Sequence, residues 1–411
     1  MGYVGQRQAG PILLEGLQRL EYRGYDSAGI AVLEENGGLS IRKREGKLAA
    51  LAAMIGDSWP RGTVGIGHTR WATHGQPSDV NAHPHTDCRG DIAVIHNGIV
   101  ENYLTLKQGL VSQGHTFLSD TDTEVIVHLV EQHLADGCSL VEAARRAMWE
   151  MQGAHAIVVL SRHEPGKLVA ARVGNAGGVV VGYGDGETWL ASDLPALLPH
   201  TRRVVFLGNR ETAEVTAHGV RYYGPDAQPL SKEPTLIPYD PVSAVKGRHK
   251  HFMLKEMMEQ PEAILDTIRS YVRLDQGLVR LDEVRLSRRQ LRRIQRVMLV
   301  GMGSSLHAAM VGRHYMERIA GLPAEVDNAS EFRYRQPIVG PETLVIAVGQ
   351  SGETVDTLAA MDSARARGAL LLTVCNVVGS QATRLADGVV YARCGLEIGV
   401  CSTKTFTASI A

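Results

Sequence analysis

The chain has 411 residues, which exceeds the usual size of one hydrophobic core, so two or more domains are expected. Its 43 Lys and Arg residues balance its 44 Asp and Glu residues, which excludes the basic surface that a nucleic-acid-binding protein needs. The five cysteines are scattered without the paired spacing of a zinc site or a disulfide framework, and no apolar run is long enough to span a membrane. We therefore expect a cytoplasmic protein without a metal that acts on small molecules.

The first half of the chain alternates short β-rich runs with amphipathic helices. One predicted helix places Leu13, Leu17 and Leu20 on a single face, and another begins with the capping-box pattern of Ser139 and Glu142. This alternation predicts a mixed α+β domain. Its strands are predicted at 63–67, 91–96, 155–160 and 179–182.

A proline-rich segment follows this first domain. Its prolines exclude a long helix or a central strand, so we predict a linker at 224–250 between domains at 1–223 and 251–411. The prolines concerned are Pro225, Pro229, Pro234, Pro238 and Pro241.

The second domain repeats a pattern of strand, Gly/Ser-rich turn and helix. Strands are predicted at 297–300, 344–348, 369–375 and 389–393, and this alternation predicts a parallel sheet with helices on both faces. A helix that begins at Thr403 is cut off at Ala411, so we expect the chain to be a fragment that ends inside this domain.

A dense group of polar side chains follows the predicted strand at 63–67. The segment 67–75 combines a guanidinium, an indole, hydroxyls and imidazoles, and the planar fork of Arg70 suits a carboxylate. An ordinary surface salt bridge is the alternative explanation for Arg70. The pattern predicts a recognition surface.

Two further clusters each have a structural and a functional interpretation. Asn97 and Gly98 form the pair most favoured for a hairpin turn, but the pair can also direct a side-chain amide and a backbone N–H at one point, as an oxyanion hole requires. In the segment 119–124, either Thr121 or Asp122 caps the next helix, or the carboxylate of Asp122 holds an amino group. The residues alone leave these alternatives open.

Two loops in the second domain favour an anion. The loop 301–305 directs backbone N–H groups and a helix N-terminus at one point, although its glycines alternatively serve only to turn the chain. The loop 350–354 again places hydroxyls at a helix start, where Ser351 or Thr354 is alternatively a simple cap. Loops on neighbouring strands converge at the carboxyl edge of a parallel sheet.

The clusters at 67–75, 95–102 and 119–124, with the segment 20–29, closely resemble the glutaminase domain of the glutamine:fructose-6-phosphate amidotransferases. The resemblance implies an N-terminal-nucleophile hydrolase fold with αββα layering. It also implies the roles of the site residues. Arg70 is expected to hold the α-carboxylate of glutamine and Asp122 its α-amino group. Asn97 and Gly98 are expected to form the oxyanion hole. The resemblance further implies that Thr73 and His74 line the pocket, that Trp71 gates ammonia and that Arg23 lies near the nucleophile.

The chain departs from this family at its first residues. Family members begin Cys-Gly-Ile-Val-Gly and use the N-terminal cysteine to attack the glutamine amide, whereas this chain begins with Met1 in the place of the valine. We interpret Met1 as an internal GTG codon taken as the start, with the cysteine encoded upstream. The chain as it stands is expected not to hydrolyse glutamine, because no other cysteine combines a thiol with a free α-amine and Cys88 does not match the motif.

The second-domain loops, with the segments 329–334 and 397–404, resemble the first sugar isomerase domain of the same family. Gly349 stands where the family usually has serine, which removes one hydroxyl contact. The catalytic lysine and glutamate of the isomerisation belong in the family to a second isomerase domain, so Lys404 is not that lysine. The residues expected to bind fructose 6-phosphate are Ser304, Ser305, Gln350, Ser351, Thr354, Val400 and Ser402.

For the intact protein, the resemblance implies that ammonia from glutamine passes through a channel to fructose 6-phosphate, which becomes glucosamine 6-phosphate. It implies no metal or organic cofactor, and a homodimer formed through the isomerase domains. Two alternatives are another amidotransferase of the same fold, which the loop 350–354 opposes, and a catalytically silent sugar-phosphate sensor, which the retained glutamine pocket opposes.

Overall fold

The structure is a computed structural model that describes residues 1–237, 247 and 249–411. The chain forms two compact units, Met1–Pro238 and Tyr239–Ala411. The boundary between them falls inside the predicted linker, of which Pro238 and Pro241 lie outside the described residues. Among the described residues, no helix combines the length and the apolar character needed to cross a membrane.

The first unit has fifteen strands and five α-helices among its described residues. Its strands are β1 (Gly2–Val4), β2 (Ser27–Leu33), β3 (Leu39–Glu45), β4 (Val64–Arg70), β5 (His85–Thr86), β6 (Ile92–Gly98), β7 (His155–Ser161), β8 (Lys167–Val173), β9 (Val180–Tyr183), β10 (Thr188–Ala191), β11 (Arg203–Phe206), β12 (Glu211–Thr216), β13 (Gly219–Tyr223), β14 (Pro229–Leu230) and β15 (Thr235–Leu236). Its helices are α1 (Ala9–Leu20), α2 (Leu48–Ile55), α3 (Tyr103–Ser112), α4 (Glu124–Ala135) and α5 (Leu140–Glu150).

These strands form two antiparallel sheets that pack face to face. The order is β15-β11-β9-β10-β1-β4-β2-β3 in one sheet and β14-β13-β12-β8-β7-β6-β5 in the other. Ala31 and Ile66 of the first sheet share one buried cluster with Ile95 and Val158 of the second, because alternate residues of each strand face inward.

Helices cover the outer faces of both sheets. A Cβ added at Gly65 or Gly67 of β4 would lie 2.9 or 3.0 Å from Leu13 or Leu17 of α1, so the two glycines permit this close approach. On the other side, Val94 of β6 shares a buried cluster with residues of α4 and α5. The resulting αββα layering confirms the predicted fold class of the first domain.

The second unit is built around a five-stranded sheet with the order β19-β18-β20-β21-β22, and every neighbouring pair in it is parallel. Helices bury both faces, since Met298 and Val345 pack in one cluster with α9 and α10 whereas Val297 and Ile346 pack in another with α8. This confirms the predicted parallel sheet. The elements are α6 (Phe252–Tyr271), β16 (Val272–Arg273), β17 (Leu278–Val279), α7 (Arg288–Arg293), β18 (Arg296–Gly301), α8 (Ser304–Tyr315), β19 (Ala324–Asn328), α9 (Ala329–Tyr334), β20 (Thr343–Val348), α10 (Val355–Ala366), β21 (Leu370–Cys375), α11 (Gln381–Leu385), β22 (Gly388–Tyr391) and α12 (Lys404–Ile410).

Local differences from the sequence expectation concern prolines and a helix cap. Part of the predicted linker forms β14 and β15, which are edge strands, where the missing N–H of Pro229 is tolerated. The capping box at α5 is only half formed. Ser139 accepts the N–H of Glu142 at 3.3 Å, but the Glu142 carboxylate pairs with Arg145 and Arg146 instead of turning back to Ser139.

Candidate functional site

A cavity of about 240 Å³ lies in the first unit where β4 and β6 end. Arg70 is the last residue of β4, Asn97 and Gly98 end β6, and Asp122 precedes α4. Residues from distant parts of the sequence therefore line one cavity. The predicted site residues among its lining are Arg23, Arg70, Trp71, Thr73, Asn97, Gly98 and Asp122.

Arg70 is buried, and only part of its guanidinium is used by the protein. Its Nη2 donates to the carbonyls of His74 and Gly75, the latter at 3.0 Å, whereas Nη1 is buried without a hydrogen-bond partner among the described residues. Burial lowers the pKa of Arg70, and the charges of Asp26 and Asp122 oppose that shift. This position contradicts the surface salt bridge, and it leaves one donor that a carboxylate can engage.

Asp122 is buried beside the same cavity. Its Oδ2 accepts the N–H of Val100 at 2.7 Å, and its Oδ1 lies 4.0 Å from Nδ1 of His74. Helix α4 has Thr123 as its N-cap residue, with no side-chain cap bond, so the helix-cap interpretation of Asp122 is wrong. The carboxylate instead holds the backbone that follows β6 through the hydrogen bond from Val100, and it places a negative charge at the cavity.

Asn97 and Gly98 end β6 in register with β7, and the chain continues into α3, so the hairpin-turn interpretation is wrong. The Oδ1 of Asn97 lies 3.1 Å from Nε2 of His68, which makes Nδ2 the end of the amide that His68 does not engage. Gly98 has φ 137°, and a Cβ there would lie 2.2 Å from the carbonyl oxygen of Ala154. The backbone at this position therefore requires glycine.

Arg23 and Trp71 border the cavity in different ways. The Nη1 of Arg23 donates to Asp193 at 2.8 Å, and the same carboxylate oxygen accepts from Tyr22 at 2.6 Å. Although burial favours the neutral guanidine, Asp193 raises the pKa of Arg23 above its ordinary value. Trp71 is 61% exposed and its ring meets the edge of Tyr25 with centroids 5.5 Å apart.

Five histidines form a connected group at and behind the cavity wall. The rings of His68 and His83 stack with centroids 4.3 Å apart, and Nε2 of His96 lies 3.1 Å from Nδ1 of His155. Burial lowers the pKa of His68 to about 4, and it lowers the pKa of His83, His85, His96 and His155 as well. These rings are therefore neutral at pH 7 and contribute hydrogen bonds without charge.

Met1 also lines the cavity. It extends the pairing of β1 with β4 by one residue, because it lies opposite Gly67. Met1 and Gly67 exchange two backbone hydrogen bonds of 2.8 Å, and burial lowers the pKa of the Met1 amino group to about 5. Among the described residues that line the cavity there is no cysteine. Cys88 is absent from the cavity wall, with its Sγ 3.7 Å from Nδ1 of His115.

In the second unit, the two predicted phosphate loops follow adjacent strands. β18 and β20 pair in parallel up to Val300 and Ala347, so the loops that follow them share the carboxyl edge of the sheet. Ser304 and Ser305 begin α8, and Thr354 precedes α10 without a side-chain cap bond. The simple-cap interpretation therefore does not hold for Thr354.

A third segment joins this edge. The Nε2 of Gln350 donates to the carbonyl of Glu397 at 3.3 Å, which brings the loop 350–354 beside the segment that carries Val400 and Ser402. Ser351 accepts the N–H of Glu353 at 3.1 Å. The Nζ of Lys404 is paired with Glu259 at 2.7 Å, which is a structural ion pair.

The structure also shows supporting residues that sequence reasoning missed. Asp193 fixes Arg23 from 170 positions away, and no local pattern marks it. Asp26 accepts the N–H of Ala72 and so fixes the turn after Arg70. Asp26 lies inside the segment 20–29, so its position was visible although its role was not.

The comparisons with known proteins assign the two units. Residues 41–222 match the glutamine amidotransferase domain family and residues 290–411 match the SIS domain family. In fold, the chain resembles the B. subtilis glutamine phosphoribosylpyrophosphate amidotransferase complexed with ADP and GMP, with a TM-score of 0.50 and 19% identity over 91% of this chain and 80% of that one. The fold and the matched families thus define a glutamine amidotransferase domain with the N-terminal-nucleophile fold, followed by a SIS domain.

Similarity over the whole of this chain then identifies the family within this class. The chain is 50% identical over 410 residues to the glutamine--fructose-6-phosphate aminotransferase [isomerizing] of Symbiobacterium thermophilum, 45% identical to that of Aquifex aeolicus, and 47% identical over 412 residues to that of Thermus thermophilus. It belongs to this family. All of this chain is covered in each comparison, and it spans 66%, 67% and 66% of the respective relatives.

Proposed function

We propose that the chain forms the glutamine-hydrolysing unit and the first sugar-phosphate-binding unit of an enzyme that converts fructose 6-phosphate and glutamine to glucosamine 6-phosphate and glutamate. The observation that carries the proposal is that Arg70, whose buried Nη1 has no hydrogen-bond partner among the described residues, lines the same cavity as Asp122. An amino acid offers one carboxylate and one ammonium, so it satisfies both groups at once. A cytoplasmic homodimer assembled through the isomerase domains is part of this proposal.

The side-chain amide of a glutamine held in this way extends toward the end of β6. The Nδ2 of Asn97 and the backbone N–H of Gly98 would then donate to the oxyanion that forms when the amide carbon is attacked. In other enzymes, removal of one such donor lowers kcat by about 10²–10³. Thr73 and His74 would complete the pocket, Arg23 would lie near the nucleophile, and Trp71 would gate the departure of ammonia.

The strand register supports the expected position of the nucleophile. Met1 lies opposite Gly67, so three residues placed before Met1 in the same register would lie opposite His68, Thr69 and Arg70, which line the cavity. A cysteine at the first of these positions would bring a thiol and a free α-amine to the glutamine amide within one residue.

In the second unit, the loops 301–305 and 350–354 would hold the phosphate, because both direct helix N-termini and hydroxyls at the same edge of the sheet. Ser304, Ser305, Gln350, Ser351 and Thr354 are the proposed ligands, with Val400 and Ser402 beside the sugar. Gly349 would contribute only its backbone N–H.

The test compares two extended chains in which Met1→Val is preceded by either Cys-Gly-Ile or Ala-Gly-Ile. Each is released from a cleavable tag so that the intended residue is the first. We expect both to bind glutamine in calorimetry, and only the cysteine-bearing chain to release glutamate. If neither binds glutamine, the proposed pocket is refuted, and if both bind but neither releases glutamate, the proposed position of the nucleophile is refuted.

The second arm uses hydrogen exchange with and without fructose 6-phosphate. Slower exchange at 303–306 and 350–356 is expected with the phosphorylated sugar, and no change is expected with fructose. A chain that binds fructose 6-phosphate but no glutamine would favour the sensor alternative.

A further inference from the structure

Four potential metal ligands meet on the first unit, and none of them lines the glutamine cavity. The Sγ of Cys88 lies 3.7 Å from Nδ1 of His115 and 3.7 Å from Nδ1 of His128. The Oε2 of Glu131 lies 2.9 Å from each of these nitrogens. All four atoms lie within 4.8 Å of one another.

The sulfur-to-nitrogen separations are close to those of a tetrahedral zinc shell, and the nitrogen-to-oxygen separations are shorter. Zinc binds thiolate at about 2.3 Å, imidazole at about 2.0–2.1 Å and carboxylate at about 2.0–2.2 Å, which makes the edges of the tetrahedron about 3.3–3.6 Å. The sulfur-to-nitrogen distances are close to this range. The nitrogen-to-oxygen distances would lengthen by a few tenths of an ångström when an ion replaces the shared protons. Calcium and magnesium prefer sets of oxygen atoms, so one thiolate and two imidazoles select zinc.

The second ring nitrogen of His128, Nε2, gives an independent indication of a metal. Its Nε2 is buried without a hydrogen-bond partner among the described residues and lies 3.8 Å from Oε1 of Glu124. When Nδ1 binds a metal, the ring proton must be on Nε2, where it faces this carboxylate. A carboxylate behind a metal-bound histidine is the usual outer-shell arrangement at zinc sites.

We propose that Cys88, His115, His128 and Glu131 form a structural zinc site. Four protein ligands fill the tetrahedron and leave no position for a substrate. The thiol proton of Cys88 would pass to solvent on binding, because the thiolate is the ligand. Cys88 is exposed, which gives the ion a path from solvent, whereas the side chain of His128 is fully buried.

This site would connect three segments that support the glutamine cavity. Cys88 lies in the turn between β5 and β6, His115 lies between α3 and α4, and His128 and Glu131 lie on α4. β6 carries the proposed oxyanion residues, and Asp122 precedes α4. A bound ion would therefore stabilise the fold of the first unit around the cavity.

The test uses untagged chain stripped of metal with EDTA and then titrated with Co²⁺ and Zn²⁺. We expect one Co²⁺ per chain, with a sulfur-to-metal charge-transfer band that one equivalent of Zn²⁺ abolishes. Zinc at a hundredfold excess over Kd should raise the unfolding midpoint of the first unit by about 5–10 °C.

Two variants make this test specific. Cys88→Ser should lose the charge-transfer band and bind zinc at least about tenfold more weakly, while its unfolding midpoint in EDTA stays that of the unsubstituted chain. Cys138→Ser removes a thiol elsewhere and should behave like the unsubstituted chain in every measurement. Failure of the chain to bind zinc, or equal zinc affinity with and without the Cys88 thiol, would overturn the proposal and leave the four side chains as a hydrogen-bonded cluster.

Discussion

Single side chains at the cavity use only part of their hydrogen-bonding capacity within the protein. Nη2 of Arg70 donates to two carbonyls, whereas its buried Nη1 has no partner in the part of the chain that the structure describes, and Oδ1 of Asn97 lies against His68. An unsatisfied buried donor costs free energy of folding, about 1–3 kcal/mol for a neutral group and more for a charged one. A fold that retains such a donor in a cavity indicates a ligand that satisfies it.

The substitution Arg70→Lys tests whether the guanidinium of Arg70 binds the carboxylate of glutamine. Lysine keeps the positive charge but cannot both bind the two carbonyls and present a second planar donor. The lost charge-assisted bond, worth about 1.5–3 kcal/mol, should weaken glutamine binding by roughly 10- to 150-fold. Calorimetry measures this loss.

Arg44→Lys is the matched control, because Arg44 makes an exposed pair with Asp79 at 3.1 Å. It should leave the glutamine affinity unchanged. An Arg70→Lys chain that binds glutamine as tightly as the unsubstituted chain would show that the guanidinium does not hold the carboxylate.

At the scale of elements, the end of β6 is the most constrained piece of backbone in the site. The positive φ of Gly98 and the closeness of the Ala154 carbonyl oxygen together exclude any side chain there. The chain leaves the sheet directly after Gly98, the last residue of β6. The bond from Val100 to Asp122 then holds the segment that follows.

We expect Gly98→Ala to lower the free energy of unfolding by about 1–3 kcal/mol from backbone strain, with a further loss from the collision at 2.2 Å. Gly137→Ala is the matched control, since Gly137 has φ 87° but no described atom lies within 4 Å of an added Cβ. Urea unfolding separates the two contributions. Equal destabilisation by both substitutions would mean that the contact with Ala154 has no role.

At the scale of the whole molecule, the buried histidines make the stability of the first unit depend on pH. Burial lowers the pKa of His68 to about 4 and lowers the pKa of His83, His85 and His96 well below the ordinary value. Between these values and the ordinary value of about 6.5, the unfolded chain binds more protons than the folded one. Stability from these histidines is therefore complete above pH 6.5 and is lost as the pH falls toward 4.

Urea unfolding at pH 7.5 and 5.5 measures this loss in the first unit, because the four tryptophans (Trp59, Trp71, Trp149 and Trp189) all lie there. Each buried histidine should cost about 1.4 kcal/mol per pH unit below 6.5. Glu124 does not interfere, since the hydrogen bonds it accepts outweigh burial and lower its pKa to about 2.

His68→Gln should remove the contribution of one buried histidine from the pH dependence of the free energy of unfolding. His163→Gln changes an exposed imidazole and should leave that dependence unchanged. A stability of the first unit that is independent of pH between 7.5 and 5.5 would contradict the neutral state of the histidine group.

The sequence was sufficient for the features that local pattern controls. Periodicity and turn residues predicted four of the described strands in each unit and the parallel sheet, because helix and strand preferences act over a few neighbouring residues. Short motifs singled out Arg70, Asn97, Gly98 and Asp122. The same motifs left each residue with two interpretations. The pair Asn97-Gly98, for example, is compatible with both a hairpin turn and an oxyanion hole.

Only the tertiary structure excluded the hairpin turn at Asn97 and the helix cap at Asp122, since burial and hydrogen-bond partners depend on which strands and helices pack together. The pairing of Arg23 with Asp193 spans 170 positions, and the convergence of Cys88 with Glu131 spans 43. Such long-range contacts depend on the order of the strands in the two sheets and on the helices that cover the sheets. No property of the separate segments specifies these contacts.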